Sequence, residues 1–477
     1  MRIPISVLVI LSSIPADTAA AKELRVRPDT DVKPLLKIVT AGDSIVLENG
    51  TWSDTDLRFE MLPGTAEAPI HIRAETAGLA VLTGKTQLRF SGQYVSVSGF
   101  VVRNARAVSD VVQFRTHSDH HAHHCRLTDC VFEEQADFDA GMDSHWVSIF
   151  GTNNRIDHCY FSGKKNGGTT VVVWVTEETG HHRIDQNHFG PRPVLGKNGG
   201  ETLRIGTSDV SKLDSGTIVE QNYFHSCDGE AEIISNKSGA NIYRHNVFDE
   251  CSGTLTLRHG HRCFVVANAF LGRRKRGTGG VRIIGRSHTV INNYFEGLRG
   301  DAERAALCMM NGIPDSPPSG YAPVHGAVVS HNTFVDCKVS LELSVGAGEK
   351  QSVAPMDCRI THNAFLPGKW AISRVHSEPI GFHWRDNRQQ VGRVHENQYI
   401  EFDRVDLRFV RAADGLLRPT ALSPVSAETA SSVHEDIDGF PRSDTTVCGC
   451  DQPDTPLRQW PGKSSTGPRW MTIEDGN

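Results

Sequence analysis

The chain has 477 residues, a formal net charge of −6 and 44 glycines. This length allows one elongated domain or two to three compact ones. The negative charge excludes a general attraction for polyanions, so nucleic acid is not an expected partner and an acidic ligand would need a local cluster of cations. Many Gly, Asn, Thr and Val residues, without a long amphipathic helical pattern, predict an all-β protein of short strands.

The first 21 residues have the pattern of an export signal. Arg2 precedes the apolar run Ile3–Ile14, and small residues follow at 18–21. This order is typical of a segment that is removed after export. We therefore expect an exported protein, periplasmic or secreted. No later stretch is apolar enough to span a bilayer, so no membrane span is predicted.

A short helix is predicted near the start of the mature chain. Val32, Leu35, Leu36 and Val39 fall at positions i, i+3, i+4 and i+7, which places them on one face of a helix. Such a helix could cover the open end of a repetitive fold, where an uncovered coil would expose the core.

An internal repeat is the most informative feature of the sequence. The motif Asn-x-Phe recurs with spacings of 24, 22 and 25 residues at its most regular. A period in this range, with Val and Ile between the motifs instead of regularly spaced Leu, predicts a parallel β-helix and not a leucine-rich repeat. We expect the Asn amides to bond from coil to coil and the Phe rings to fill the core. The motifs begin at Asn187, Asn222, Asn246, Asn268, Asn293, Asn332 and Asn363.

The domain assignment follows from the extent of this repeat. We predict a signal at 1–21, a β-helix domain at 22–412 and a tail or cap at 413–477, where Pro, Ser, Thr and Asp dominate. The tail is expected to be a loose cap or partly disordered.

The eleven cysteines are an odd number, and most lie beside strand-like runs. Buried free thiols are therefore predicted for most of them. Cys448 and Cys450, in the Pro-rich tail, are instead the plausible disulfide partners, although a bridge between the two would be strained.

A candidate metal site lies between residues 198 and 232. Glu230 and Glu232 are two apart, so in an extended strand both carboxylates leave the same face, and Asn198 offers a further oxygen. Oxygen ligands of this kind suit Ca²⁺ better than Mg²⁺. The alternative is an exposed strand face whose glutamates pair with Lys or Arg.

Lys237 and Arg258 are 21 positions apart, so they should lie close together on adjacent coils. Beside a metal, this pair suits β-elimination from a uronate, in which removal of the C5 proton builds an enolate-like dianion that cations stabilise. Lys237 is the candidate base. Arg258 hardly ever gives up a proton, so charge stabilisation with proton delivery through water stays open beside direct acid catalysis.

Three sequence runs resemble polysaccharide lyase family 6, the group of alginate lyases and chondroitinase B. They are NGGETLRIGTS at 198–208, DGEAEIISNKS at 228–238 and LRHG at 257–260. The resemblance implies a right-handed parallel β-helix whose calcium is held by the residues matching Asn198, Glu230 and Glu232. It also implies base and acid roles for Lys237 and Arg258, and a lining of the uronate subsites by Arg204, His259 and Arg282.

Alginate is the expected substrate, because NGGETLRIG is more similar to the alginate lyases than to chondroitinase B. The alternatives are a chondroitinase-B-like lyase acting on dermatan sulfate and a non-catalytic β-helix that binds acidic glycans. The oligomeric state stays open.

Two basic segments gave weaker signals. The four histidines between His120 and His124 could chelate a transition metal, but a rim that touches substrate is favoured because no zinc spacing is present. The run Arg273–Arg276 could extend polyanion binding or be a solvated loop.

Overall fold

The computed structural model describes residues 20–136, 143–391, 402–421, 433–442 and 447–473. Each turn of the chain adds one strand to each of three long parallel sheets. This is the parallel β-helix predicted from the repeat, with the right-handed sense that the resemblance implies. The predicted export signal falls almost wholly on residues 1–19, which lie outside the described residues.

Sheet 1 has 14 strands. They are Glu23–Val26, Ser44–Leu47, Ile70–Ala74, Val95–Ser98, Arg126–Thr128, Arg155–Asp157, Arg183–Asp185, Ile218–Glu220, Ile242–Arg244, Phe264–Val266, Thr289–Ile291, Val328–Ser330, Arg359–Thr361 and His383–Arg385.

Sheet 2 has 13 strands, if the strand that pairs beside its main path is included. They are Asp56–Pro63, Gln87–Gln93, Asp110–Gln113, Ala122–His123, His145–Ile149, Val171–Val173, Leu203–Ile205, Glu232–Lys237, Thr254–His259, Val281–Ile283, Leu307–Met310, Leu341–Val345 and Ser373–Val375.

Sheet 3 has 14 strands, and a separate antiparallel pair follows it. The strands of sheet 3 are Gly50–Ser53, Ala80–Gly84, Phe100–Ala105, Val131–Glu133, Tyr160–Ser162, His188–Phe189, Tyr223–His225, Val247–Asp249, Ala269–Leu271, Tyr294–Glu296, Thr333–Val335, Ala364–Leu366, Arg388–Gln390 and Asp403–Val405, and the pair is Phe409–Arg411 with Leu417–Pro419.

The Asn-x-Phe repeat builds two ladders, as predicted. The backbone N–H and the side-chain Nδ2 of Asn246 both donate to Oδ1 of Asn268, each at 3.0 Å, and the same pattern joins the other motif asparagines. The rings of Phe248 and Phe270 stack with centroids 4.6 Å apart. The Asn side chains are fully buried, so each amide satisfies backbone groups that a turn between coils would leave unpaired.

The prediction of an N-terminal capping helix is wrong. The segment forms a single 3-10 turn, Leu35–Lys37, which begins after Pro34. The helix does not continue, because the backbone N–H of Thr40 donates to Asp43 Oδ2 at 2.9 Å instead of to a carbonyl four residues earlier. The apolar pattern still serves the core, because Val32 and Val39 are buried in the main hydrophobic cluster.

The described part of the C-terminal tail runs back along the outside of the β-helix. Leu417 N–H donates to Tyr294 Oη at 3.0 Å, Gly467 N–H donates to Gln186 O at 3.0 Å, and Trp470 Nε1 donates to Asp129 O at 2.8 Å. The tail therefore packs against coils that precede it by more than a hundred residues.

All eleven cysteines are buried free thiols. The prediction for most of them is confirmed, but the expectation of disulfide partners at Cys448 and Cys450 is wrong. Both are 2% exposed, because the tail packs them against sheet 3 and its neighbours. Within the described residues, no helix is long and apolar enough to cross a membrane.

Candidate active site

The candidate residues come together on sheet 2. Strands Leu203–Ile205, Glu232–Lys237, Thr254–His259 and Val281–Ile283 are consecutive neighbours in this sheet. Lys237 pairs in register with His259, which follows Arg258. The predicted closeness of Lys237 and Arg258 is therefore present. It arises because the coil from Lys237 to its register partner His259 is 22 residues long, so residues 21 apart in the sequence lie side by side.

Two β-bulges interrupt the pairing of strand Glu232–Lys237 with strand Thr254–His259. The first inserts Ile233 between the paired residues Glu232 and Ile234. The second inserts Arg258 opposite the step from Asn236 to Lys237. A bulge re-aims the side chains on either side of it, and bulges are common beside active sites.

An acidic pocket lies where these strands begin. Glu232 is the first residue of its strand, but Glu230 lies in a bend before it, so the expectation that both glutamates extend from one strand is wrong. Glu230 Oε2 accepts a hydrogen bond from Gly199 N–H at 3.1 Å. This bond joins the loop of Asn198, which is exposed, to the glutamates on the next coil.

Glu201 is a third carboxylate of this pocket, and the sequence analysis missed it. It is 2% exposed, and its Oε2 has no hydrogen-bond partner among the described residues. Burial, and then repulsion from Glu201 and from Glu232, raises the pKa of Glu230 to about 7. The available signal was position, because Glu201 lies within the NGGET run only three residues after Asn198.

Glu201, Glu230 and Glu232 are the residues of this pocket that could hold a hard divalent cation. The three neighbouring carboxylates repel one another. Glu201 Oε2 is a buried oxygen that could bind a cation and has no hydrogen-bond partner among the described residues. The guanidinium atoms nearest to Glu232 Oε1 in its two ion pairs, Arg282 Nη1 and Arg258 Nε, are 3.7 and 4.0 Å away, beyond hydrogen-bond distance. The donor set consists of oxygen atoms, which favours Ca²⁺.

Arg192 supports the loop that carries Asn198 and Glu201, and it too was missed. Its buried guanidinium donates to the carbonyl oxygens of Gly168 at 2.9 Å, of Gly199 at 3.2 Å and of Glu201. Burial lowers the pKa of Arg192 to about 10, so it remains charged at neutral pH. A planar donor with five N–H groups suits this convergence of carbonyls.

Two glycines allow the acidic loops to touch. A Cβ at Gly229 would lie 2.1 Å from the carbonyl oxygen of Gly200, and a Cβ at Gly200 would lie 2.5 Å from that of Gly229. Any side chain at either position would separate the loop of Glu201 from that of Glu230.

The loop of residues 313–323 binds the guanidinium of Arg258. Its Nη1 donates to Gly320 O at 2.8 Å and its Nη2 to Ser319 O at 3.1 Å, while the guanidinium lies 4.2 Å from the ring centroid of Tyr321. Tyr321 Oη also accepts a hydrogen bond from Arg282 Nη2 at 2.9 Å. Sequence spacing could not reveal Tyr321, because it lies in an irregular loop.

His259 and Arg204 flank this pair. Burial, and then the charges of Arg258 and Lys237, lowers the pKa of His259 to about 3, so its ring is neutral. The guanidinium of Arg204 lies 5.4 Å from the ring of Trp174, and its Nε has no partner among the described residues. All eight predicted site residues thus lie on four neighbouring coils.

The sequence model of the chondroitinase B family matches residues 26–366. The chain belongs to this family of polysaccharide lyases. Among solved structures, it is similar to the polysaccharide lyase family 6 alginate lyase AlyGC, with 36% identity and a TM-score of 0.84 over 95% of this chain. That match spans only 59% of AlyGC.

Two further family 6 structures are similar to the chain. A mannuronic acid specific lyase from human gut microbiota is 35% identical, with a TM-score of 0.69, over 77% of this chain and 86% of that one. An alginate lyase in complex with a trisaccharide is 23% identical, with a TM-score of 0.71, over 90% and 95% of the two chains, and supports the fold alone. No curated protein sequence matches the chain.

Side chains of the two weaker candidate segments form hydrogen bonds with neighbouring residues. His120 Nδ1 bonds to Glu60 at 2.7 Å, whereas His123 Nδ1 bonds to Thr152 at 2.8 Å, so the four histidines do not converge on one point. In the basic run, Lys275 Nζ donates to Asp228 Oδ2 at 2.7 Å. Lys275 therefore anchors the turn that precedes Glu230.

Proposed function

We propose that the protein is a calcium-dependent lyase that cleaves alginate by β-elimination. The observation that carries this proposal is the placement of Lys237 and Arg258 on the same strands as the acidic pocket, with Glu232 Oε1 4.0 Å from Arg258 Nε. A hydrolase would need two carboxylic acids flanking the bond, whereas the clustered carboxylates here fit a metal site. Calcium, when bound, would neutralise the carboxylate of the uronate and acidify its C5 proton.

In this mechanism Lys237 takes the proton from C5. The C5–H electrons form the C4–C5 double bond, and the C4–O bond breaks with its electrons leaving on oxygen. Arg258 stabilises the developing charge. Its two Nη atoms are bound to the carbonyls of Ser319 and Gly320, so the proton for the leaving oxygen arrives through water at Arg258. The products are an unsaturated sugar end and a new reducing end, and no water is consumed.

Substrate choice rests on similarity. The relatives at 35–36% identity are described as an alginate lyase and a mannuronic acid specific lyase, which favours alginate. The second candidate is dermatan sulfate, because the matching family bears the name of chondroitinase B. Ultraviolet absorbance of unsaturated product on a panel of both polymers separates them. A signal on dermatan sulfate alone would overturn alginate.

The lyase proposal is tested with Lys237→Ala. We expect product formation to fall by a factor of about 10²–10⁴, as for loss of a general base, while binding of alginate is retained. An unchanged rate would leave a non-catalytic glycan-binding β-helix. We also propose export with removal of residues 1–21, which amino-terminal sequencing of the mature protein tests.

A further inference from the structure

Glu60, His117 and His120 bring a carboxylate oxygen and two imidazole nitrogens close together at the first strand of sheet 2. One ligand atom of each side chain lies within 4.8 Å of the other two. Glu60 Oε1 is 2.7 Å from His120 Nδ1 and 3.1 Å from His117 Nδ1. Both rings therefore turn the same nitrogen towards a single carboxylate oxygen.

This group lies apart from the candidate active site. Glu60 is on strand Asp56–Pro63, which is six strands away from strand Glu232–Lys237 in sheet 2. At an inter-strand distance of about 4.8 Å, this separation is on the order of 29 Å. The group therefore shares no ligand with the acidic pocket, and it does not depend on the proposed lyase function.

The backbone holds both sides of the group in place. The two histidines are on the loop of residues 116–120, which is closed by the hydrogen bond from Thr116 N–H to His120 O at 3.0 Å. The buried Ser91 joins this loop to the strand of Glu60. Ser91 Oγ accepts a hydrogen bond from Met61 N–H at 2.9 Å and lies 2.9 Å from Thr116 Oγ1. Ligands on an anchored backbone are already arranged for a metal.

The charge of Glu60 is not neutralised by a basic side chain. Among the Lys and Arg residues that the structure describes, none forms an ion pair with Glu60, whose partners are the two histidines. By contrast, the buried carboxylates Asp438 and Asp451 of the tail are bound by Arg418 Nη1, at 2.6 and 3.1 Å. The carboxylate of Glu60 is therefore available to a metal cation.

The three ligands favour Zn²⁺. Two imidazole nitrogens and one carboxylate oxygen suit zinc, whereas Ca²⁺ and Mg²⁺ take oxygen ligands. Ligand atoms about 2.1 Å from a tetrahedral zinc ion lie about 3.4 Å from one another. The 2.7 and 3.1 Å distances from Glu60 Oε1 to the two Nδ1 atoms are close to this spacing. None of the three side chains is buried, so small rotations can admit the ion.

The far nitrogens of the two rings have different neighbours. Asp119 Oδ2 lies 3.9 Å from His120 Nε2, and metal-binding histidines commonly face a carboxylate there. His117 Nε2 instead lies 3.3 Å from Arg58 Nη1. When Nδ1 binds a metal, Nε2 carries the ring proton, so Arg58 must turn towards Asp56, 3.5 Å from its Nη2. Arg58 should therefore weaken metal binding without preventing it.

We propose that Glu60, His117 and His120 form a metal site, separate from the acidic pocket, which binds Zn²⁺ and ties the loop of residues 116–120 to strand Asp56–Pro63. Three protein ligands leave the fourth tetrahedral position to water. The site has no recognisable spacing in the sequence, because Glu60 precedes His120 by 60 residues and meets it only through the stacking of coils.

The test measures Zn²⁺ binding by calorimetry, with Ca²⁺ in excess so that the acidic pocket does not take up zinc. We expect one Zn²⁺ per chain. His117→Ala and His120→Ala should each lower the affinity by about 100-fold or more, because loss of a ligand costs more than the 10- to 100-fold typical for loss of a ligand's hydrogen-bond partner. Arg58→Ala should raise the affinity, since it removes a cation beside His117.

His325→Ala is the matched control. His325 is exposed and its Nε2 lies 3.1 Å from one carboxylate oxygen, of Asp357, but the described residues offer it no third ligand. This substitution should leave the zinc affinity unchanged. Zinc should also raise the Tm of the unmutated protein and not that of His120→Ala.

Absence of stoichiometric zinc binding, an affinity unchanged in both histidine variants, or an equal loss in the control would overturn the site. If a histidine variant fails to fold, Glu60→Gln carries the same test with a smaller expected loss, because glutamine keeps the size of the side chain and one oxygen ligand.

Discussion

Glu232 and Lys237 lie five residues apart on one strand, and yet both side chains lie on the same outer face of sheet 2. In a regular strand an odd separation would put them on opposite faces. The bulge at Ile233 removes this conflict, because it inserts one residue into the strand, and Ile233 and Ile234 consequently both point into the core. The proposed metal ligand Glu232 and the proposed base Lys237 can therefore act on one substrate.

This relationship predicts different behaviour for two variants. Glu232→Gln should weaken Ca²⁺ binding, and added Ca²⁺ should restore part of the turnover. Lys237→Ala should lose turnover by about 10²–10⁴ at every Ca²⁺ concentration, because a general base is missing. Initial rates over a Ca²⁺ titration measure both. Recovery of Lys237→Ala at high Ca²⁺ would contradict the assigned base.

Arg192 is predicted to position the loop that carries Asn198 and Glu201 without touching substrate. Arg192→Ala leaves the carbonyls of Gly168, Gly199 and Glu201 unsatisfied, so the free energy of unfolding should fall by about 3 kcal/mol or more. Ca²⁺ affinity should fall by about 10- to 100-fold. Arg192→Lys keeps the charge but not the planar set of donors, and should be intermediate. Denaturant unfolding and calorimetry give the two quantities, and an unchanged Ca²⁺ affinity would refute the positioning role.

Gly229→Ala tests the close approach of the two acidic loops. The added methyl would overlap the carbonyl oxygen of Gly200, and relief of that overlap should cost about 1–3 kcal/mol and separate the metal ligands. We expect a lower Tm and weaker Ca²⁺ binding. Gly462→Ala is the control, since an added Cβ there meets nothing within 4 Å. Equal effects of both substitutions would show that the contact is unimportant.

Buried histidines predict loss of stability in acid. Burial lowers the pKa of His182 to about 3, of His188 to about 3 and of His288 to about 4, from an ordinary value of 6.5. Below pH 6.5 these histidines bind protons in the unfolded chain but stay neutral in the native state. The free energy of unfolding therefore falls as the pH drops from 6.5 towards the native pKa values. Each histidine contributes up to about 1.4 kcal/mol per pH unit.

His188→Phe measures one of these contributions. The ring of His188 contacts Tyr160 and Tyr223 edge to face, each at 5.0 Å, and a phenylalanine can keep those contacts without titrating. The variant should lose less Tm than the unmutated protein between about pH 7 and about pH 5. Parallel losses in the two proteins would exclude His188 as a source of acid sensitivity.

The sequence by itself determined the coil architecture and the grouping of the predicted site. Asn-x-Phe recurs because each coil needs one buried amide and one buried ring at the same turn, so the period can be recognised in the amino-acid sequence. Residues about one period apart, such as Lys237 and Arg258, become neighbours for the same reason.

Only the tertiary structure decided the features that depend on irregular backbone or on distant segments. The bulge at Ile233 has no periodic signal, and Glu201 and Tyr321 gain their surroundings from loops whose paths are set by packing. Cys448 and Cys450 looked like residues of a loose tail, yet they are buried because the tail returns along the β-helix. Periodicity records contacts that repeat from coil to coil, whereas a contact made once leaves no pattern in the sequence.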